Sequence, residues 1–360
     1  MIIRPQERGS IAGAVASVIA GLQDFSGAEA SRGRRLVFVR FFLSDAQNQA
    51  GPLWKALGEC CWKDEASGSH DGGIAGPAVS IVEQPPLDGS RIVALAASMP
   101  VGDSLGCLCQ DGAVTPFLFH SLRLTEEEAA GLDSYGQSRL LFDKYLDIIR
   151  PLGLELKTHC VRTWIYVRDI DSNYAGLVKA RNDVFAQEGL SHDTHYIAST
   201  GIGGASEVRS AVVAMDFLTC PSIAEGDKTY LKALSHLSPT HDYGVAFERG
   251  VRLGDGHIFI SGTASIDHRG HILNEGDVLA QAGRLLENIE ALLAEGGATL
   301  GQVPYFVVYL RDISDFAAVD AYMAGRFPDV PRIILEARVC RPGWLIEMEC
   351  EIPGGAARLL

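Results

Sequence analysis

The chain has 360 residues, 47% hydrophobic and 21% charged, which describes a compact globular protein too long for one ordinary core and suited to two or three. Its formal net charge of -14 argues against nucleic acid or an anionic membrane as partner, since both need basic surface. An anionic small molecule would need a local cluster of arginines to overcome that field. Eight cysteines (60, 61, 107, 109, 160, 220, 340 and 350) form no CxxC pair and follow no zinc or disulfide spacing. They read as reduced, mostly buried thiols of a cytoplasmic protein.

From the N-terminus, Arg4 and Arg8 precede an apolar stretch, Ile11 to Leu22, that is too short to span a bilayer. It could be a signal peptide, but its place in a repeat makes a helix the better reading. That helix would be followed by a strand at Leu36 to Phe42, a polar knot at Leu43-Ser44-Asp45, and a second helix beginning at Trp54 to Cys61. The middle of the chain repeats the order: a helix from Gly136 to Ile149, a strand at Thr163 to Val167, the knot Arg168-Asp169-Ile170-Asp171, and a helix from Tyr174 to Gln187. The last copy is the clearest. It has a helix from Ala280 to Leu293, a strand at Tyr305 to Leu310, the knot Arg311 to Asp315, a helix through Met323, and strands at Arg332 to Cys340 and Trp344 to Cys350.

YVRDID and YLRDIS are the best internal match. Leu43 sits where the other two knots carry Arg, so the first copy is expected to keep the scaffold and lack a site. Further strands are expected at Arg91 to Ser98, Ser210 to Leu218 and His257 to Ser265. The fold class is therefore α+β, with sheets covered on one side by paired helices. The units would span residues 1–103, 104–222 and 223–360.

Several familiar signatures drop out. Thr200-Gly201-Ile202-Gly203-Gly204 fits neither a Walker loop nor a dinucleotide fingerprint; it suits a tight turn or a close backbone approach to a ligand. His192 and His195 lack a third ligand in phase, so no metal is expected, nor is the iron triad of a dioxygenase visible. Cys340 has no obvious histidine partner in sequence. What remains is Glu347, on an apolar strand. Alternation places it with Leu345 and Glu349, opposite Ile346 and Met348. It is either a surface carboxylate on an amphipathic strand or a half-buried acid, neutral or paired with a cation. Arg249, Arg311, Arg332, Arg338 and Arg341 lie on segments that could converge on it, and arginine's planar fork suits a carboxylate.

The segment Arg332 to Glu349 resembles the C-terminal strands of RidA (YjgF) enamine/imine deaminases, in which an Arg binds the substrate carboxylate and a Glu fifteen residues on handles protons; Arg332 and Glu347 have that separation. The RidA unit has a chorismate mutase-like, trimer-forming fold with sites between units, so three tandem units would make a pseudo-trimer within one chain. Over residues 110 to 352 the chain resembles the chorismatases more closely, through Thr200 to Gly203, Tyr243-Gly244, Phe247-Glu248-Arg249, Ile258 to Ala264, Gly276-Asp277-Val278 and Leu345 to Glu349.

That resemblance implies that Glu347 protonates the enolpyruvyl group of chorismate and that Arg249, Tyr243 and Arg311 hold its carboxylates. Arg332 is added from the RidA likeness, and Gly201 from the Gly-rich turn. It also implies that Gly262 and Cys340 mark members giving 3-hydroxybenzoate and pyruvate, alone or with some 4-hydroxybenzoate, where hydrolytic members carry Ala at both places. Cys340 would be a weak acid near the ring or only a small hydrophobe. No cofactor, nucleic acid or membrane is expected, and the chain would be a monomer or small homo-oligomer. The alternatives are a hydrolytic chorismatase giving a dihydroxycyclohexadiene carboxylate, a RidA-like imine deaminase, and a non-catalytic binding protein.

Overall fold

A computed structural model describes residues 1–60, 76–100, 107–108, 114–115 and 117–354, without the side chains of 107–108, 114–115 and Tyr243. Cys61 and Cys109 lie outside the described residues. The first sheet contains β1 (Ile2–Ile3), β2 (Arg34–Leu43), β3 (Ala78–Glu83) and β4 (Ile92–Pro100), with α1 (Ile11–Ala30) and α2 (Ala46–Glu59) between them. A two-residue pair, β5 (Cys107–Leu108) with β6 (Val114–Thr115), follows. The second unit runs β7 (Leu118–Leu122), α3 (Glu126–Ala129), α4 (Ser134–Ile149), α5 (Leu156–His159), β8 (Cys160–Val167), α6 (Ile170–Gln187), β9 (Ala198–Gly203) and β10 (Val213–Thr219). The third runs β11 (Lys228–Leu231), β12 (Gly250–Leu253), β13 (Ile258–Ala264), α7 (Val278–Glu295), β14 (Phe306–Leu310), α8 (Phe316–Arg326), β15 (Arg332–Glu336) and β16 (Ile346–Ile352).

The strand orders are β1-β4-β2-β3, β7-β10-β8-β9 and β13-β16-β14-β15, the last extended by β12 and β11. In each set of four, two antiparallel pairings are followed by one parallel pairing. The three units are therefore one α+β design used three times.

Three equivalent hydrogen bonds close the units into a ring. Glu83 N donates to Ala205 O at 2.7 Å, Gly203 N to Arg338 O at 2.8 Å, and Glu336 N to Pro85 O at 2.9 Å. Each joins the end of one unit's parallel edge strand to the chain two residues beyond the end of that strand in the next unit. The chain is thus a pseudo-trimer, and every interface is a cleft between two different units.

The same bonds align the copies. The amides of Gln84, Gly204 and Ala337 donate to the carbonyls of Leu43, Val167 and Leu310. Those of Ser44, Arg168 and Arg311 donate to Arg91, Val212 and Leu345, each at 2.9 Å. Ser44, and not Leu43 as the sequence suggested, therefore occupies the arginine position. The sequence match was one residue out of register, which in a strand exchanges the two faces.

The helices cover one face of each sheet. In the first unit Val15, Val18 and Leu22 of α1 pack with Val39 and Phe41 of β2. α1 runs 20 residues, long and apolar enough by length and composition to cross a membrane, and not the shorter stretch expected. Its apolar stripe is buried on β2, as the core helix of a folded unit requires. α2 starts at Ala46, eight residues before Trp54, because Asp45 caps it by accepting from Asn48 N.

The other sheet faces meet at the pseudo-threefold axis, where polar groups are buried and paired. Asp216 accepts from Arg40 (3.0 Å), Arg123 (3.0 Å), Ser80 (2.7 Å), Ser121 (2.8 Å) and Tyr166 (3.2 Å). Burial pushes its carboxyl up, but Arg123 and Arg40 outweigh that and hold it below the usual carboxylate range. The guanidinium groups of Arg40 and Arg162 lie 4.5 and 4.9 Å from the centre of the Trp164 ring.

Candidate active site

On β16 the alternation expected from the sequence is present, but both faces are buried. Ile346 and Met348 point under the helices, while Glu347 and Glu349, each 5% exposed, point at the second unit. Glu347 is thus no surface carboxylate. It looks into a cavity between the second and third units. The second unit contributes Tyr174 and Arg181 from α6 and Ser199 and Gly201 from β9. The third contributes Arg249, Gly262, Cys340 and Glu347, with Val245, Phe247, Arg341 and Trp344 completing the wall. Five of the eight residues singled out from the sequence (Glu347, Cys340, Gly262, Arg249 and Gly201) therefore share one cavity.

Burial pushes the Glu347 carboxyl up to about 8; the charge of Glu349 adds to this, and Arg162 and Arg249 oppose it. At neutral pH Glu347 therefore holds its proton. Glu349 does not compete for the cavity, because both its oxygens are engaged: Oε1 accepts from Trp164 Nε1 at 3.0 Å, and Oε2 from Arg162 Nη2 at 2.9 Å and from the Thr200 hydroxyl. β13 carries a register shift between Ile260 and Thr263, and Gly262 sits in that bulge. A β-carbon there would overlap Glu347 Oε1 and crowd Thr200 Cγ2. The missing side chain is what makes room for the acid.

Two buried guanidinium groups face the same space. Arg249, 5% exposed, donates from Nη2 to Ser238 O at 3.0 Å. Arg181, 1% exposed, has Nε and Nη2 without a hydrogen-bond partner among the described residues. Phe247 lies between them, its ring centre 5.4 Å from the Arg249 guanidinium and 5.9 Å from that of Arg181. A buried guanidinium group with nitrogens left unpaired, as in Arg181, is costly without an anion. Cys340 and Tyr174 line the same cavity. Burial, reinforced by Glu347, pushes the Cys340 thiol up to about 12, so it is a neutral donor and not a nucleophilic thiolate.

Three arginines named from the sequence lie elsewhere: Arg338, exposed and paired with Asp171 at 3.3 Å, and Arg311 and Arg332. Arg311 donates to Val339 O at 2.8 Å and to Asp171 Oδ2 at 2.6 Å. It clamps the backbone just before Cys340 and does not line the cavity. Its counterpart Arg168 does the same, holding the carbonyls of Ala211, Ser206 and Val208.

Arg332 bonds Asp320 in a different cleft, between the third and first units, alongside the Arg4–Asp88 pair. The reason is the ring. Tyr309, which pairs with Glu347 and Leu335, corresponds to Tyr166, which pairs with Ala214 and Ile202, and to Phe42, which pairs with Val93 and Val82. Three residues back along the parallel edge strands, Arg332 therefore corresponds to Ser199. A cleft takes its acid position from one unit and its edge strand from the preceding one, so Glu347 meets Ser199, while Arg332 faces a unit with Val93 at the acid position. The fifteen-residue spacing in sequence joins residues of two different clefts.

The side chain of Tyr243 lies outside the described residues. His195 Nδ1 donates to Tyr196 O (2.7 Å), and its Nε2 lies 3.0 Å from Glu225. Among the described residues no group of three metal-ligating side chains exists. Tyr174, Arg181 and Ser199 were not singled out from the sequence. For Arg181 a signal was present: it sits at i+4 in the buried stripe Leu177, Arg181, Val184 of α6, where an unpaired charge is unexpected.

The sequence model of the family described as Endoribonuclease L-PSP matches residues 238–352, the third unit. A RutC family protein of Pyrococcus abyssi is 33% identical over 105 residues, 29% of this chain and 82% of that protein. Among solved structures, a chorismatase is similar over 88% of this chain and 93% of its own, with a TM-score of 0.64 at 21% identity. RidA from an Antarctic Psychrobacter matches 34% of this chain and 98% of its own, with a TM-score of 0.29 at 24% identity. Through its third unit this chain belongs to the RutC family, and as a whole it has a chorismatase-like fold of three RidA/YjgF-like units.

Proposed function

We propose that this chain is a chorismatase that converts chorismate to 3-hydroxybenzoate and pyruvate in the cavity between its second and third units. The observation that carries this reading is a carboxyl kept protonated by burial, facing the same cavity as two buried arginines. A dianionic substrate brings two carboxylates to a cavity lined by the guanidinium groups of Arg181 and Arg249. Glu347 then delivers its proton to the enolpyruvyl methylene carbon, turning an inert vinyl ether into an oxocarbenium ion whose C–O bond to the ring can break. As the ring carbon releases pyruvate, the neighbouring ring hydroxyl bonds to that carbon and closes an epoxide, its proton returning to the acid. The epoxide then opens at the carbon that first carried the hydroxyl, and loss of the hydrogen from the carbon that pyruvate left makes the ring aromatic as 3-hydroxybenzoate. The atoms of chorismate are thus shared between the two products without added water. The neutral Cys340 thiol offers a weak donor in the same cavity. Gly and Cys at positions 262 and 340, where the hydrolytic chorismatases resemble one another in carrying Ala, support the 3-hydroxybenzoate-forming course over the hydrolytic one.

The separation of Arg332 from Glu347 counts against an imine deaminase that would need both in one site. Free thiols at Cys160, Cys220 and Cys350, buried in the fold, support a reducing, cytoplasmic setting. The test is incubation of the protein with chorismate, with products separated by HPLC. Pyruvate and 3-hydroxybenzoate in equal amounts are expected from the wild-type chain and neither from Glu347→Gln. Equal turnover by the two proteins would remove Glu347 from the mechanism, and no turnover by either would end the reading.

A further inference from the structure

We infer that Thr200 is a positioning residue for the Glu347 acid, clamping the Ser261–Gly262 bulge of β13 from across the unit boundary. The inference rests on the reading of Glu347 as proton donor. A threonine hydroxyl has one hydrogen to donate and two lone pairs to accept with, and all three are used. It donates to Glu349 Oε2, and it accepts from Arg162 Nη2 at 2.6 Å and from Gly262 N at 2.9 Å. Thr200 belongs to the second unit; Gly262 and Glu349 belong to the third.

The bulge is gripped a second time by the same strand. Ser261 Oγ accepts from Ser199 N at 2.9 Å and donates to Glu248 O at 2.6 Å. The glycine whose missing side chain makes room for Glu347 is thus held by the second unit, and its amide is fixed by the Thr200 hydroxyl. Without that hydroxyl, Gly262 N, Arg162 Nη2 and one oxygen of Glu349 each lose a buried partner. The bulge is then free to close on the carboxyl. Thr200 does not line the cavity, so its effect falls on the geometry of proton delivery and not on substrate binding.

The test compares Thr200→Val, which keeps the shape and loses the hydroxyl, with Thr200→Ser, which keeps the hydroxyl and loses the methyl. Two readouts are taken: hydrogen exchange of the Gly262 amide in the substrate-free protein, and steady-state turnover of chorismate. Thr200→Val should speed exchange at Gly262 at least tenfold and lower kcat at least tenfold, with KM within twofold of wild type. Thr200→Ser should leave both near wild type. Wild-type kcat in a folded Thr200→Val protein, or a loss in Thr200→Ser as large as in Thr200→Val, would overturn the inference, and so would unchanged exchange at Gly262. Should Thr200→Val not fold, the Ser variant alone decides, since a merely steric role for the methyl would cost it activity. A wild-type chain that makes no pyruvate, with exchange at Gly262 still dependent on the hydroxyl, would sink the proposed reaction while leaving the clamp itself standing.

Discussion

The Glu347 carboxyl occupies the space that a β-carbon on Gly262 would need. The two residues are adjacent only because β13 and β16 pair, with Ala264 opposite Glu347 and the bulge beside them. Substituting Gly262 by Ala should therefore push the carboxyl away from its place without unfolding the protein, since the displaced atoms are the end of a flexible side chain. We expect Gly262→Ala to lower 3-hydroxybenzoate formation at least tenfold. Combined with Cys340→Ala, it should redirect product toward the dihydroxycyclohexadiene carboxylate. Product analysis by HPLC checks this, and an unchanged product would disprove the link between Gly262 and the reaction course.

The raised pKa of Glu347 has a direct kinetic consequence. A proton donor must be protonated, so kcat/KM should be level below pH 7 and fall about tenfold per pH unit above about 8. A pH–rate profile whose alkaline limb begins near 5 would contradict it.

The same shift bears on stability. The folded value of about 8 lies above the ordinary value of 4.5, so the stabilisation due to neutral Glu347 is complete below about 4.5 and is lost as pH rises through about 8. Glu347→Gln removes that loss. Its melting temperature relative to wild type should rise between pH 6 and pH 9. A constant difference across that range would mean that Glu347 titrates normally.

Arg181 and Arg249 should behave alike in binding. Each removes one charge-assisted contact when truncated, about 1.5–3 kcal/mol or roughly 10- to 150-fold. We expect Arg181→Ala and Arg249→Ala each to raise KM for chorismate in that range. An unaltered KM would take the residue out of the site.

Arg332→Ala is the contrasting case. Its guanidinium bonds Asp320 in the other cleft, with side chains 19% and 44% exposed. Such a pair contributes about 0–1 kcal/mol. Turnover within twofold of wild type is expected, and a large loss of kcat would show that the two clefts communicate.

Much of this protein was legible in its residues. Periodicity located the long helices and half of the described strands, the YVRDID and YLRDIS match exposed the repeat, and alternation placed Glu347 and Glu349 on one face of β16. These are local properties, set by the 3.6- and 2-residue periods of the backbone. The tertiary structure alone decided which residues meet. The ring of hydrogen bonds from Glu83 to Ala205, Gly203 to Arg338 and Glu336 to Pro85 builds each cleft from two units, so Arg332 and Glu347 part company while Arg181 and Glu347, 166 positions apart in sequence, share a wall. It also decided that both faces of β16 are buried, which is why Glu347 keeps its proton. Burial on the second face depends on a neighbouring unit, and no window of sequence around a strand carries information about what packs against it from elsewhere in the chain.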